Sequence, residues 1–354
     1  MRVRKAAAAA WPGGLAIIVA IVIGFALRDS IGQASERIMH AWLPLLLLVP
    51  YRALPLALDA LGWWMLLSRA APFAFVWWIA MVRDGVSRLL PVASVGGEVV
   101  GVRLACWKLR DAAAVAASVI VEVLVTVGMQ AIFAIIGIAA LARSASFSRA
   151  TWPLAAASAA TLVALLACYG CLRRGAPIDA LTRLAERFLG AHNPLLRAVP
   201  SRRLDAALRA QAQRPRAWFA ALAAQLAGQA AGALENMFAL WVMGVPVTLA
   251  DAFAIEAVAQ IARHVAFFVP LGVGVQDAAI VLTTQLVGLS SDAALSLALI
   301  KRMREALSGG LALASWLVAE RVRRTRSLAS EGTSSTARIA RLSRQVIINT
   351  DRKK

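Results

Sequence analysis

The amino-acid sequence predicts an all-α fold, a polytopic bundle of helices in a membrane, on three observations. Of the 354 residues, 60% are hydrophobic and only 16% are charged, against roughly 25% charged in soluble domains. Apolar runs of spanning length recur along the chain. The basic residues behind the net charge of +19 are gathered between those runs, which favours membrane topology over binding of nucleic acid.

Crossing about 30 Å of hydrocarbon takes about 20 apolar residues as a helix, because every backbone polar group must be bonded internally in lipid. The first such run is residues 11–27. Arg2, Arg4 and Lys5 precede it and no small-residue cleavage site follows, so it reads as a retained span and not a signal peptide. Residues 41–67 form the second. Residues 73–107 are interrupted by Arg83, Asp84 and Arg88 and broken at Leu90, Pro91, Gly96 and Gly97, and they read as a re-entrant broken-helix hairpin. Residues 112–141 and 152–172 follow, and then, after a basic segment, 218–243 and 249–269. A break at Pro270, Gly272 and Gly274 introduces 271–289, and the series ends with 293–319. The expectation is about seven to eight full spans plus the hairpin.

Orientation follows from Lys and Arg. Residues 173–216 carry ten arginines against Asp179, Glu186 and Asp205, and residues 321–354 carry ten basic residues. Both stretches and the N-terminus are therefore assigned to the cytoplasm. The chain divides into a membrane domain over 1–321, containing a basic amphipathic loop at 173–216, and a basic tail over 322–354 whose Ser- and Thr-rich composition predicts disorder. Within the loop, 181–189 and 204–208 read as helix on the membrane surface, serving as a topology anchor or as a contact for anionic lipid heads.

The two broken regions resemble each other. Pro91 leads to Gly96, Gly97 and Glu98; Pro270 leads to Gly272, Gly274, Gln276 and Asp277. Further on, Lys108-Leu109-Arg110-Asp111-Ala112 and Arg302-Met303-Arg304-Glu305-Ala306 share one pattern. Either this is a chance match of five residues, or the halves form an inverted-topology repeat with a substrate site lined by discontinuous helices.

A charge in a bilayer costs about 2.5–3.5 kcal/mol on insertion scales and so marks function or a structural pair. Glu98, after two glycines and before Arg103, is the leading candidate; its alternative role is to hold the hairpin through a nearby arginine. Gly97 and Gly101 form a GxxxG pair suited to close helix contact. Glu256, Gln260 and Arg263 make one polar stripe, and Gln225, Gln229 and Asn236, beside Glu235, make another. These stripes line a hydrophilic path or satisfy each other across helices. Glu122 stands alone. His40, His192 and His264 are scattered, and Cys106, Cys168 and Cys171 form no ligand set. No phosphate-cradling GxxxxGK[ST] and no GxSxG elbow occurs. No cofactor or metal is expected.

The run Arg88 to Arg103, RLLPVASVGGEVVGVR, with PLGVGVQD at Pro270 to Asp277, resembles the flippase-like transmembrane domain of lysylphosphatidylglycerol synthases, the multiple peptide resistance factor family. Among its members the chain is most similar to the stand-alone, hopanoid-associated HpnL-type membrane proteins. Two departures stand out: residues 92–95 offer no basic residue, and the second motif ends in Asp277 where relatives carry Glu. The synthases' soluble aminoacyl-transferring domain is not expected to follow the membrane domain. The resemblance implies a bacterial inner-membrane protein that translocates or handles lipid, without enzymatic activity, for hopanoid or another isoprenoid lipid. Its partners would be membrane lipids and lipid-synthesis enzymes. The implied lipid site comprises Arg88, Pro91, Gly96, Gly97, Glu98, Arg103, Glu256, Arg263, Pro270, Gly272, Gly274, Gln276 and Asp277. An intramembrane lipid-modifying enzyme with an acidic general base, and a scaffold for lipid-synthesis enzymes, are the alternative functions.

Overall fold

The computed structural model describes residues 28–90, 96–141, 151–173, 201–265 and 275–351. For 28–35, 151–154, 171–173, 201–202, 264–265 and 326–351 it describes the backbone alone. The expected first span, the loop helix at 181–189, Pro91, Pro270, Gly272 and Gly274 all lie outside the described residues.

All regular structure among the described residues is helical: α1 (Arg28–Leu45), α2 (Leu48–Tyr51), α3 (Ala53–Leu66), α4 (Phe73–Leu89), α5 (Gly96–Ala105), α6 (Ala112–Leu141), α7 (Thr151–Arg173), α8 (Ser201–Ala212), α9 (Pro215–Val242), α10 (Leu249–Val265), α11 (Val275–Leu286) and α12 (Ser291–Asp351). Met1–Gly310 form one compact unit and Leu311–Lys354 a second. In the second unit α12 continues to Asp351, through residues whose composition suggests disorder. Ala337, Arg338, Ala340, Arg341, Leu342 and Gln345 are good helix formers, which favours that continuation.

Helix ends follow local chemistry. Pro44 has no N–H to donate, and α1 stops one residue later. The chain then bends by 59° between Glu36–Leu45 and Leu48–Leu66, so the expected span at 41–67 is a broken one. At the end of α3, Ser68 and Arg69 turn the chain with φ of 57° and 59°. The carbonyls exposed there are capped by α8 and its successor: Gln211 Nε2 donates to Leu66 O at 2.8 Å, and Arg214 donates to Leu66 O and Met65 O at 3.1 and 3.2 Å. Asp111 caps α6 by accepting from the N–H groups of Ala113 and Ala114 at 3.0 and 3.1 Å. Pro215 opens α9 at a position where no N–H is needed.

Among the described residues two helices, Ala112–Leu141 and Pro215–Val242, are long and apolar enough to cross a membrane singly, and the bent pair adds a third if it counts as one span. Ala155–Gly170 is a shorter apolar helix. At 249–289 the described residues give 17 residues of α10 and 12 of α11, and this described part of α11 rises about 18 Å at 1.5 Å per residue.

α4 with α5, and α10 with α11, form two helical hairpins whose arms pack on each other. At the open end of the first, Trp78 near the start of α4 lies 6.0 Å from Trp107 just after α5. Lys108 covers Phe75 at 4.5 Å, and Arg69 covers Trp64 at 5.1 Å. The open end of the second packs with the starts of α2 and α12 and the end of α9, through Leu48, Met243, Ile255, Ile280 and Leu297.

Small residues set the helix crossings. Gly62 of α3 lies against Ala221 of α9, Gly85 of α4 against Gly309 of α12, and Gly137 of α6 against Ala257 of α10. A methyl at Gly137 would overlap the Ala257 methyl. Gly137→Ala should therefore destabilise by about 1–3 kcal/mol through overpacking, read as a lower unfolding temperature in detergent. Gly170→Ala, with nothing within 4 Å of the new methyl, should leave that temperature unchanged or raise it.

α8 is amphipathic, and its apolar face, Leu204, Leu208 and Ala212, is buried on α3, α6 and α9 residues including Leu66, Val121 and Ala221.

Candidate functional site

The hairpins bring the interrupting charges together. On α5, Gly97 and Gly101 press against Ser87 and Arg83 of α4, so closely that a methyl at Gly97 would meet the Arg83 carbonyl oxygen at 2.8 Å. This close approach aims Arg83 at two carboxylates. It pairs with Glu98 in the first turn of α5 and donates to both oxygens of Glu122 on α6 at 3.0 Å. Its guanidinium also covers the ring of buried Trp63 at 4.9 Å, a favourable cation–π geometry. Asp59 of α3 is a third carboxylate within electrostatic reach of Arg83. The GxxxG expectation holds, Glu122 is not alone, and the partner of Glu98 is in its own hairpin.

A second network begins next to Arg83 and crosses between the halves of the unit. Asp84 accepts from Arg52, at the α2–α3 junction, at 2.8 Å and from Arg88, one turn on, at 2.7 Å. Arg88 also pairs with Glu305 of α12. Glu305 accepts from Arg302 at 3.2 Å and lies 3.6 Å from Arg304. Arg302 then reaches Asp277, in the first turn of α11, with three hydrogen bonds of 2.9–3.1 Å. Arg304 pairs with Glu235 of α9; they are 4% and 2% exposed. One chain of ion pairs thus runs from α4 through α12 to the tip of α11. Charges this deeply buried persist only when paired and hydrogen-bonded.

The two polar stripes also meet. Lys301 Nζ donates to Glu256 at 2.6 Å and to Asn236 at 2.7 Å; Asn236 and Gln260 each donate to Glu256, at 2.9 and 2.7 Å. Gln225 is bonded instead to Thr126 of α6, at 3.0 Å. The stripes therefore satisfy each other across helices.

Of the sequence-predicted residues, Arg88, Glu98, Glu256 and Asp277 join these networks, Gly96 and Gly97 position Glu98, and Gln276 is buried beside Asp277. Arg263 has Arg88, Glu305, Asp84 and Arg52 as its charged neighbours. Arg103 is exposed and is not buried with the others, because a five-residue step turns it about 140° from Glu98 on α5. The sequence alone does not assign Arg52, Asp59, Lys301 or the roles of Arg83, Asp84, Glu235, Arg302, Arg304 and Glu305; their signal is that of charges inside apolar runs. The matched pentapeptides are not equivalent: Asp111 caps the start of α6, whereas Arg302 to Glu305 lie well inside α12. Among the described residues no His, Cys, Asp and Glu group is arranged to hold a metal ion.

No curated protein and no solved structure is significantly similar to the chain. The family model for the lysylphosphatidylglycerol synthase TM region matches residues 13–312, most of its length. With its apolar helices, that match makes it a membrane protein of a lipid-related family. The chain belongs to the lysylphosphatidylglycerol synthase TM region family.

Proposed function

We propose that this protein translocates a membrane lipid by taking up its polar headgroup where the tips of two opposed re-entrant hairpins meet. The observation that carries the reading is the ion-pair chain from Asp84 and Arg88 through Glu305 and Arg302 to Asp277. It puts a polar, charge-lined patch among apolar helices and ties one hairpin to the other. A headgroup crossing a bilayer needs such a patch, since moving it through hydrocarbon alone leaves its charges unsolvated.

On this reading the chain crosses six times, through 11–27, α1 to α3, α6, α7, α9 and α12, and the hairpins α4–α5 and α10–α11 enter from opposite sides as an inverted pair. That count takes α10 and α11 together as one hairpin, where hydropathy alone gives two spans. The N-terminus, 173–216 and the C-terminal region are cytoplasmic, and the membrane is the bacterial inner membrane. The aromatic and basic residues at the open end of the first hairpin suit its interface. The motif likeness to the hopanoid-associated subgroup favours an isoprenoid lipid. Movement across the membrane involves no chemical step.

Glu98 is the residue to test, because its side chain is 23% exposed while Arg83 keeps Glu122 if Glu98 is neutralised. In proteoliposomes carrying fluorescently labelled lipid, Glu98→Gln should slow translocation by at least about tenfold, equivalent to about 1.4 kcal/mol of lost charged contact. The unfolding temperature should be unchanged. Full activity in Glu98→Gln would remove this residue, and the site built round it, from the proposal.

A further inference from the structure

The charges around Arg263 do not balance. Among the described residues, the network that joins α4, α9, α11 and α12 holds five guanidiniums, of Arg52, Arg88, Arg263, Arg302 and Arg304, against four carboxylates, of Asp84, Glu235, Asp277 and Glu305. Each carboxylate is already engaged. Asp84 takes Arg52 and Arg88, Asp277 takes Arg302, Glu235 takes Arg304, and Glu305 is shared by Arg88, Arg302 and Arg304. Arg263, near the C-terminal end of α10, is the guanidinium left over. It has no hydrogen bond or ion pair with a described residue, although Asp84 and Glu305 are within electrostatic reach.

A second observation points the same way. The Nε–H groups of Arg52 and Arg304 are buried with no acceptor, and the Arg304 side chain as a whole is 4% exposed. Arg52 is a charged neighbour of Arg263, and Arg304 and Arg263 both lie in electrostatic reach of Glu305. Asp59, Glu98 and Glu122 gather round Arg83, with Asp59 also in electrostatic reach of Arg52, and none of the three is a charged neighbour of Arg263.

One uncompensated positive charge and several unused, directional donors define the missing ligand as an anion of about one charge with several acceptor oxygens. Phosphate fits that description: a phosphodiester carries one negative charge and two free oxygens, and guanidinium binds it through paired N–H donors. We propose that Arg263, with the Nε donors of Arg52 and Arg304 and flanked by Arg88, forms a phosphate site, occupied by a lipid headgroup phosphate or by free phosphate. The inference rests on the translocation reading only for the lipid source; the site itself stands on the charge balance.

The test is equilibrium binding to the full chain in detergent, by thermophoresis, of three probes: inorganic phosphate, dihexanoylphosphatidylglycerol and the uncharged dihexanoylglycerol. Phosphate-bearing probes should bind and dihexanoylglycerol should not. Arg263→Gln should weaken binding by at least about tenfold, with Arg263→Lys recovering much of the loss. Binding of dihexanoylphosphatidylglycerol alone assigns the site to a lipid headgroup, and binding of inorganic phosphate assigns it to the free anion as well. Because Arg263 leaves no carboxylate unpaired when removed, Arg263→Gln without probe should unfold no earlier than wild type. A lower unfolding temperature would show that Arg263 already has a partner and would overturn the proposal. So would no binding of either phosphate probe, equal binding of dihexanoylglycerol, or unchanged binding in Arg263→Gln. Translocation with no phosphate binding sinks this inference alone; phosphate binding with no translocation sinks the translocator reading alone.

Discussion

Glu305→Gln is expected to destabilise the protein by about 3–5 kcal/mol, the usual cost of removing one partner from a buried ion pair. The carboxylate is 4% exposed and serves Arg88, Arg302 and Arg304 together. Gln keeps the shape and one acceptor oxygen but not the charge, so three guanidiniums are left with less compensation in an apolar surrounding. Arg302 retains Asp277, Arg304 retains Glu235 and Arg88 retains Asp84, and the helices should still assemble. The loss should appear as a lower unfolding temperature in detergent. Adding Arg88→Met should recover part of it, because Arg88 is the guanidinium that Glu305 binds across the two halves. A double-mutant cycle giving strictly additive losses would show that this pair carries no coupling.

Lys301→Met should be similarly costly, about 3–5 kcal/mol, because it strands Glu256 as a buried anion. Glu256 is 4% exposed, and Lys301 is its cationic partner at 2.6 Å. Asn236 and Gln260 still donate to it, at 2.9 and 2.7 Å, but neutral donors cannot offset a full charge. Lys301→Met with Glu256→Gln should therefore be more stable than Lys301→Met alone. The comparison of unfolding temperatures separates charge from packing: if the double variant is no better than the single one, the cost of Lys301→Met comes from lost packing of the lysine stem and not from an unpaired Glu256.

The helical bundle and the first hairpin are legible in the sequence because they rest on strong signals. Residues 112–141 hold thirty residues without a charge other than Glu122, and α6 covers that range. Arg83, Asp84 and Arg88 interrupt an apolar run and are followed by Pro91 and the glycines, and α4 ends at Leu89. The second hairpin carries a weaker signal. Residues 249–289 are apolar enough to pass as two spans, and hydropathy does not reveal that α10 and α11 pack on each other.

Site residues divide the same way. Glu98, Glu256 and Asp277 are conspicuous as single acids near glycine or along an apolar face, whereas their partners are not. Arg83 lies 15 positions from Glu98 and Lys301 lies 45 from Glu256. Such pairings follow from tertiary packing at Gly97, Gly101 and the α4–α12 crossing, and no spacing rule predicts them. Arg103 shows the converse: it is close to Glu98 in sequence, but helical rotation carries it out to the exposed side of α5.

The most direct test of the headgroup site is mass spectrometry of the lipids that stay bound on purification, comparing wild type with Glu98→Gln and Asp277→Asn at matched folding. One residue of each pair of hairpin tips is neutralised in turn, and Arg83 and Arg302 lose one carboxylate each while keeping Glu122 and Glu305. The expected result is one lipid class enriched in wild type and lost in both variants. The same bulk phospholipid in all three proteins would contradict a headgroup site between the hairpins.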